Sequence, residues 1–327
     1  MRKLLIVFLA TLSLCMSCDR DKRNSDGTKA FRVGVTVQSL ENSYWAGVFG
    51  DIETIMDEKG WQYTVLSCND NANTQIQQIE NFITNDVDLI MVHPSDKHAL
   101  EDYLKIARSK GIKVMCWDDE MENVDVNWIL DNEKLGKLIG TTAGSFINHH
   151  YDATHPAEVA LIDYPQTPIL VDREKGIIEG LQESASGNYT IVAQQPGLDA
   201  AKSLSQMESI LQAHPQVKVV CSIGSGGDIG ANEAFMTETK GIIPSDMGIF
   251  SADATEQQLT AIVKGEASRA SVGMEGSNIK TAEACVALFE KLLNNETFSS
   301  KNVYRPLTVM DISNAAQYLK DFAADKQ

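Results

Sequence analysis

The sequence predicts an α/β protein built of two doubly wound parallel-sheet lobes. Three observations carry that prediction. Short runs that alternate as strands are followed, again and again, by runs with apolar residues at helical spacing, the pattern of a parallel sheet with crossover helices. The pattern comes as two similar series divided by a polar stretch. The 327 residues, 43% hydrophobic and 22% charged, also exceed the usual size of one core.

The chain opens Met1-Arg2-Lys3, runs almost wholly apolar from Leu4 to Leu14, and reaches Cys15-Met16-Ser17-Cys18 just ahead of the charged run from Asp19 to Arg23. A basic start with an apolar centre of about ten residues reads as a signal peptide over 1–17, because a stable span needs about 20. Its end resembles a bacterial lipobox: Ser17 is the small residue before the cut, and Cys18 the cysteine that would be acylated and become the mature N-terminus. That resemblance implies an exported protein, in the periplasm or at the cell surface, that meets the membrane only through its lipid. Residues 18–30 are polar and aperiodic, which reads as a flexible tether to a body beginning near Phe31.

Phe31, Val33, Val35 and Val37 alternate as the first strand. Tyr44, Trp45, Val48, Ile52, Ile55 and Met56 then recur at helical spacing, and Gly60 stops the helix. The same succession repeats as a strand from Trp61 to Ser67, a helix from Thr74 to Asn85, a strand from Val87 to Val92, a helix from Ala99 to Lys110 and a strand from Ile112 to Trp117. A helix through Leu135, Leu138 and Ile139 introduces the second series. Its strands run from Glu158 to Asp163, Tyr189 to Gln194, Val217 to Ile223 and Met247 to Phe250, and its helices from Ile169 to Ser184, Ala201 to Ala213, Asp228 to Thr237 and Gln257 to Val263. His149, His150, Asp152, Thr154, His155 and Pro156 read as a loop, so Asp131 to Pro156 is the expected passage between lobes.

A formal net charge of −17, more negative once Arg2 and Lys3 leave, would repel a phosphate-rich partner and argues against nucleic acid. Beyond the signal only Cys68, Cys116, Cys221 and Cys285 remain, each in an apolar context that reads as a buried thiol; no disulfide framework and no metal site are expected. The body contains no His-Glu-x-x-His, Gly-x-Ser-x-Gly or Cys-x-x-Cys, so neither an enzyme nor a cofactor is expected. Gly224 to Gly230 follows a strand and opens a helix, yet its glycine spacing departs from the dinucleotide fingerprint and no Lys-Ser/Thr follows.

In open parallel sheets ligands bind outside the carboxyl ends of the strands, where helix N-termini and loop side chains converge. The residues at those ends are Asn42, Tyr44 and Trp45, then Asp118 and Asp119, Asp163 and Tyr164, Gly224 to Gly227, and Asp253. Carboxylates accept from hydroxyls and flat aromatic faces cover the C–H surface of a ring, so the set suits a small sugar-like molecule.

Several motifs follow in order: Val33-Gly34-Val35-Thr36-Val37 leading to Asn42-Ser43-Tyr44-Trp45, then Ile90-Met91-Val92-His93-Pro94-Ser95-Asp96, and Gly111-Ile112-Lys113-Val114 leading to Asp118. Asp131-Asn132 ahead of Gly136, Arg173-Glu174-Lys175-Gly176-Ile177, and the run Ile249 to Thr255 with its Asp complete the series. From Phe31 onward the chain thereby resembles the ribose- and galactose-binding branch of type I periplasmic binding proteins. The resemblance implies two lobes, 31–129 plus 276–303 and 130–275 plus 304–327, joined by a three-strand hinge with crossings near Asn127 to Asn132, Met274 to Ser277 and Asn302 to Pro306. It implies a ligand site of Asn42, Tyr44, Trp45, Asp118, Asp119, Arg173, Gly224, Asp253 and Glu275, no metal, and a monomer that hands its ligand to an ABC transporter permease. Presentation of a sugar-like signal to a chemoreceptor or sensor kinase is the alternative. Asp119, Gly224, Met274 or Glu275, and Leu198 replace the Arg, Asn, Gln and aromatic residue of ribose binders, which points to a ligand other than ribose. The pocket is expected to be acidic and relieved mainly by Arg173, which suits a many-hydroxyl or amine-bearing ligand (a sugar, polyol or amino sugar), with stacking from Tyr44, Trp45, Trp117 or Tyr164.

Overall fold

The structure is a computed structural model that describes residues 30–40, 43–274 and 278–324. Its first series runs β1 (Arg32–Val37), α1 (Ser43–Glu58), β2 (Gln62–Ser67), α2 (Ala72–Thr84), β3 (Leu89–Val92), α3 (Lys97–Ser109), β4 (Lys113–Trp117) and β5 (Val126–Ile129). The second runs α4 (Asn132–His150), β6 (Ala157–Asp163), α5 (Pro168–Ala185), β7 (Tyr189–Pro196), α6 (Ala200–Ala213), β8 (Val217–Ser222), α7 (Ser225–Glu238), β9 (Gly248–Ala252), α8 (Glu256–Lys264) and β10 (Ser268–Met274). The chain closes with α9 (Asn278–Leu293), β11 (Asn302–Tyr304), β12 (Leu307–Asp311) and α10 (Ala315–Ala324).

Two six-stranded sheets result, ordered β11-β5-β4-β3-β1-β2 and β12-β10-β9-β8-β6-β7. The orders are equivalent strand for strand, so β4 and β9 hold the same place in their lobes. The first sheet is parallel throughout. The second departs from the purely parallel expectation, because β12 pairs antiparallel with β10 at its edge. The chain passes between the sheets after β5, after β10 and between β11 and β12.

Strand periodicity distributes the cores. Along β3 and β4, Leu89, Met91, Met115 and Trp117 join one buried cluster with Val35, Ile52 and Phe289, whereas Ile90, Val92, Val114 and Cys116 join another with Ile79 and Leu104. Val159 and Leu161 likewise part from Ala160 and Ile162 along β6. Successive residues point to opposite faces, and helices cover both, which is why these strands read as continuous apolar runs. Full burial of each large apolar side chain contributes roughly 1.5–3 kcal/mol.

Helix starts follow capping chemistry: Asp96, Asp131 and Asp199 accept backbone N–H bonds at the openings of α3, α4 and α6, and Thr255 with Gln258 forms a capping box on α8. His149 and His150, expected in a loop, are the last turn of α4. The sequence reading also left β5, β10, α9, β11, β12 and α10 unassigned as elements. β5 has four residues, and β10 reads Ser-Arg-Ala-Ser-Val-Gly-Met with one β-branched residue, so neither carries a strong strand signature. All four cysteines of the body are buried and free. Among the described residues no helix is long and apolar enough to cross a membrane.

Candidate functional site

Asp118 follows β4 and Asp253 follows β9, so the two carboxylates stand at equivalent strand ends in the two lobes. Their backbones agree in detail. Both residues are left-handed, with φ of 62° and 88°, and each donates its N–H to the next strand at 3.0 Å, Asp118 to Trp128 O and Asp253 to Val272 O. Asp tolerates that turn better than residues with larger or branched side chains.

Each carboxylate meets a buried arginine. Asp118 Oδ1 accepts from Arg305 Nη1 at 2.9 Å, and the Arg305 side chain is only 4% exposed. The Arg305 guanidinium lies 5.4 Å and 5.0 Å from the ring centroids of Trp117 and Trp128, within cation–π reach of both. In the other lobe, Asp253 Oδ2 accepts the N–H of Ser225, the first residue of α7, at 2.8 Å, and Oδ1 lies 3.6 Å from Arg173 Nη1. Arg173 donates through Nε and Nη2 to Asn132 Oδ1, at 3.1 Å and 2.7 Å, and through Nη1 to Ile223 O. Burial pushes the Arg173 guanidinium down, and the carboxylates of Asp253 and Asp118 push it back up. Arg173 therefore lies in the electrostatic reach of an aspartate from each lobe.

Arg173 meets Asn132 because α4 and α5 touch backbone to backbone. A Cβ on Gly136 would stand 1.9 Å from Arg173 O, and one on Gly176 would stand 2.1 Å from Glu133 O. Only glycine permits that approach.

At the carboxyl end of the first sheet, the Trp45 ring of α1 lies 4.5 Å from the His93 ring and 5.3 Å from that of Trp117. His93 follows β3, and its buried Nδ1 has no hydrogen-bond partner among the described residues. Burial lowers its pKa, opposed by Asp118 and Asp119. In the second lobe Asp163 is 3% exposed at the end of β6; Gln194 Nε2 donates to its Oδ2 at 2.6 Å and to Glu174 Oε1 at 2.7 Å. Burial pushes the Glu174 carboxyl up, and Asp163 adds to that shift.

The structure thus brings Asp118, Arg173, Asp253 and Gly224 around one locus, with Trp45 on the floor of the first lobe. Gly224 caps α7 in extended conformation, and a Cβ there would stand 3.1 Å from Asp253 Oδ2. Asp119 turns to Lys97 of α3, whose Nζ is 2.7 Å from its Oδ1. Asn42, Glu275 and Cys18 lie outside the described residues, as does the side chain of Tyr44. Two expectations need correction. Trp117 is fully buried beneath Trp45, Trp128 and Arg305, so its ring face is not on offer for stacking, and Tyr164 packs partly buried on the second core. The carboxylates are relieved by Arg305 and Lys97 as well as by Arg173. Sequence reasoning missed Arg305 as a site residue because it stands 187 positions from Asp118 and no local pattern marks it.

Among the described residues no group of three or more His, Cys, Asp or Glu is arranged to hold a metal ion. One surface hollow of about 230 Å³ is lined by Arg32, Asp88, Lys113 and Leu293. Arg32 and Lys113 begin β1 and β4, so that hollow lies at the opposite end of the sheet from the paired aspartates.

Known proteins match along most of the chain. The ribose import binding protein RbsB of Bacillus subtilis (strain 168) is 26% identical over 224 residues, 67% of this chain and 70% of that protein. A periplasmic ribose ABC transporter structure from Conexibacter woesei DSM 14684 superposes with a TM-score of 0.74 at 16% identity, covering 91% of this chain and 97% of that one. A Mycobacterium smegmatis structure in complex with β-D-fucofuranose gives 0.69 at 23% identity, covering 90% and 97%. The model of the periplasmic binding protein domain matches residues 33–297, well over half of the sequence and all but the edge strands β11 and β12 of the two sheets, and the chain belongs to that family.

Proposed function

We propose that this protein is an extracytoplasmic solute-binding protein that captures a neutral polyhydroxylated molecule, a sugar or polyol, by closing its lobes, and delivers it to an ABC permease without chemical change. The observation that carries this reading is the pair of equivalent strand-end aspartates, Asp118 and Asp253, each steadied by a buried arginine. Each keeps acceptor capacity beyond the partner bonds described, and hydroxyl donors from one ligand would use both lobes at once. Closure then follows from the ligand's preference for the conformation in which both lobes reach it.

Charge selects within that class. Among the described residues Asp118, Asp119 and Asp253 each meet a cation, Arg305, Lys97 and Arg173, and carboxylates partnered in this way favour hydroxyl groups over an ammonium. Relatives named for ribose import, and a similar fold with bound myo-inositol, support the same class. The lobes of this reading are 31–129 plus 276–303 and 130–275 plus 304–327, acting as a monomer. Residues 1–17 are its signal peptide and Cys18 carries the lipid, so Cys18→Ser would move the protein from the membrane fraction to the soluble one.

A thermal-shift screen of the body from Phe31 tests the proposal with D-ribose, D-allose, L-arabinose, myo-inositol and D-glucosamine. A ligand at 100 times its dissociation constant stabilises by about 2.7 kcal/mol. A saturable shift with a neutral compound and none with D-glucosamine is expected. Silence from every neutral compound would overturn the reading, and a preference for the amine would overturn its charge argument.

A further inference from the structure

Arg305 occupies an unusual place for a buried cation. β11 ends at Tyr304 in the first sheet and β12 begins at Leu307 in the second, so Arg305 and Pro306 alone make the third crossing. The proline restricts the residue before it to extended conformations. Arg305 donates its backbone N–H to Ile129 O at 2.9 Å, and Ile129 is the last residue of β5, where the first crossing begins. Its side chain runs back to Asp118 at 2.9 Å and rests against Trp117 and Trp128, the latter on β5. One residue therefore bonds to the origin of one crossing, forms half of another, and holds a site carboxylate.

A role limited to filling space does not account for the choice of side chain. A buried arginine, 5% exposed, carries a desolvation cost that Met or Leu would avoid, and the carboxylate and the indole faces it meets offset it. We propose that Arg305 is a positioning residue that couples the crossings to the ligand site: it fixes the orientation of Asp118 and, through the same guanidinium, ties the third crossing to the first lobe. Movement of the crossing and occupancy of Asp118 are then linked, because each changes what the other end of the Arg305 side chain meets. Its affinity consequences rest on the sugar-capture reading; its consequence for the crossing does not.

The test uses the body from Phe31 with Arg305→Met, Arg305→Lys, Asp118→Asn and the double variant Asp118→Asn/Arg305→Met. Inter-lobe distances are read without sugar by energy transfer between dyes on Lys105→Cys and Lys202→Cys, both exposed positions, while the four native thiols are buried. Arg305→Met is expected to lengthen and broaden that distance distribution, and an unchanged distribution overturns the coupling to the crossing. Titration calorimetry with D-ribose, D-allose, L-arabinose and myo-inositol reads affinity. Each single variant is expected to bind about tenfold more weakly, the scale of one charge-assisted hydrogen bond, and the double variant to stay close to the weaker single one. A double variant as weak as the product of the two singles overturns the positioning role. Should Arg305→Met lose cooperative unfolding, Arg305→Lys takes its place: it keeps the charge but loses the planar contact with the indoles, and the same distance criterion applies. If the unaltered protein binds none of the four compounds, sugar capture fails, and the sugar-free distances still decide the role of Arg305.

Discussion

Asp253→Asn is the substitution that most directly weighs the site. Asparagine keeps the shape and tolerates the left-handed backbone at φ 88°, whereas alanine there would add a strain of roughly 1–2 kcal/mol that has nothing to do with ligand. Two losses follow in the free protein. Oδ2 accepts the Ser225 N–H at the opening of α7, where a full negative charge contributes about 0.3–1 kcal/mol through the helix dipole. The approach of Oδ1 to Arg173 is 3.6 Å, with the Asp253 side chain 42% exposed, so solvent screening leaves that pair a contribution of well under about 1 kcal/mol. Stability should therefore fall by no more than about 1 kcal/mol in urea titration. Ligand binding should suffer more. With one oxygen committed to Ser225, hydroxyl donation falls mainly on the other, and exchanging a charged acceptor for a neutral one removes roughly 1 kcal/mol, about a five- to tenfold rise in Kd. Calorimetry against the neutral sugar that shifts the melting temperature measures it. A folded Asp253→Asn protein whose Kd stays within about twofold of the unaltered protein would refute the assignment of Asp253 as a ligand acceptor, because exchanging the charged acceptor of a direct hydrogen bond for a neutral one is worth more than that.

Three further outcomes follow from the same geometry. Burial holds His93 below its ordinary value of 6.5, against the raising effect of Asp118, Asp119 and Asp70 and with Arg305 acting in the same direction as burial. The unfolded chain then binds more protons than the folded one just below that value, so stability is lost as pH falls from neutrality through the window, by at most about 1.4 kcal/mol per pH unit for one proton. Urea midpoints at pH 7.5 and 5.5 should differ less in His93→Gln than in the unaltered protein, and equal slopes would remove His93 from the account. Gly136→Ala places a methyl 1.9 Å from Arg173 O and should destabilise by roughly 1–3 kcal/mol in denaturant titration, since backbone rather than a side-chain tip must give way. The four buried thiols should resist alkylation in the native body and react when it unfolds, since burial pushes the Cys221 thiol up to about 12 and those of Cys116 and Cys285 up as well. Rapid native labelling counted by mass spectrometry would contradict that burial.

The alternation of strands and helices was legible because both faces of each sheet are covered. β1 reads as an alternation and β3 and β8 as largely apolar runs, and α2 and α3 as stripes closed by Asn85 and Lys110 at their ends. The elements that sequence left unassigned are those whose stability comes from position. β11 and β12 are short edge strands supplied from the far end of the chain, and α9 returns from beyond β10 to pack on α1, so their signal is long-range contact rather than local pattern.

The same division runs through the site. Asp118 and Asp253 were legible because an acidic residue just after an apolar strand is a local feature, and the carboxyl end of a parallel strand is where function gathers. Their cations were only half legible. Arg173 belongs to a recognisable stretch beside Gly176, and its partners Asn132, Ile223 and Asp253 all lie in the second series, so that brace is assembled within one lobe. Arg305 reaches Asp118 only because the chain, having built the second sheet, comes back to lay β11 against β5 and then leaves again two residues later. The two aspartates are thus equivalent in backbone and unequal in support. The second lobe carries its own counter-charge, while the first draws its counter-charge from the segment that joins the lobes. An estimate of pocket charge from strand ends alone counts every carboxylate and misses this cation. For that reason strand ends alone suggest a pocket relieved mainly by Arg173, whereas in the folded chain Asp118 and Asp119 each meet a cation of their own, Arg305 and Lys97.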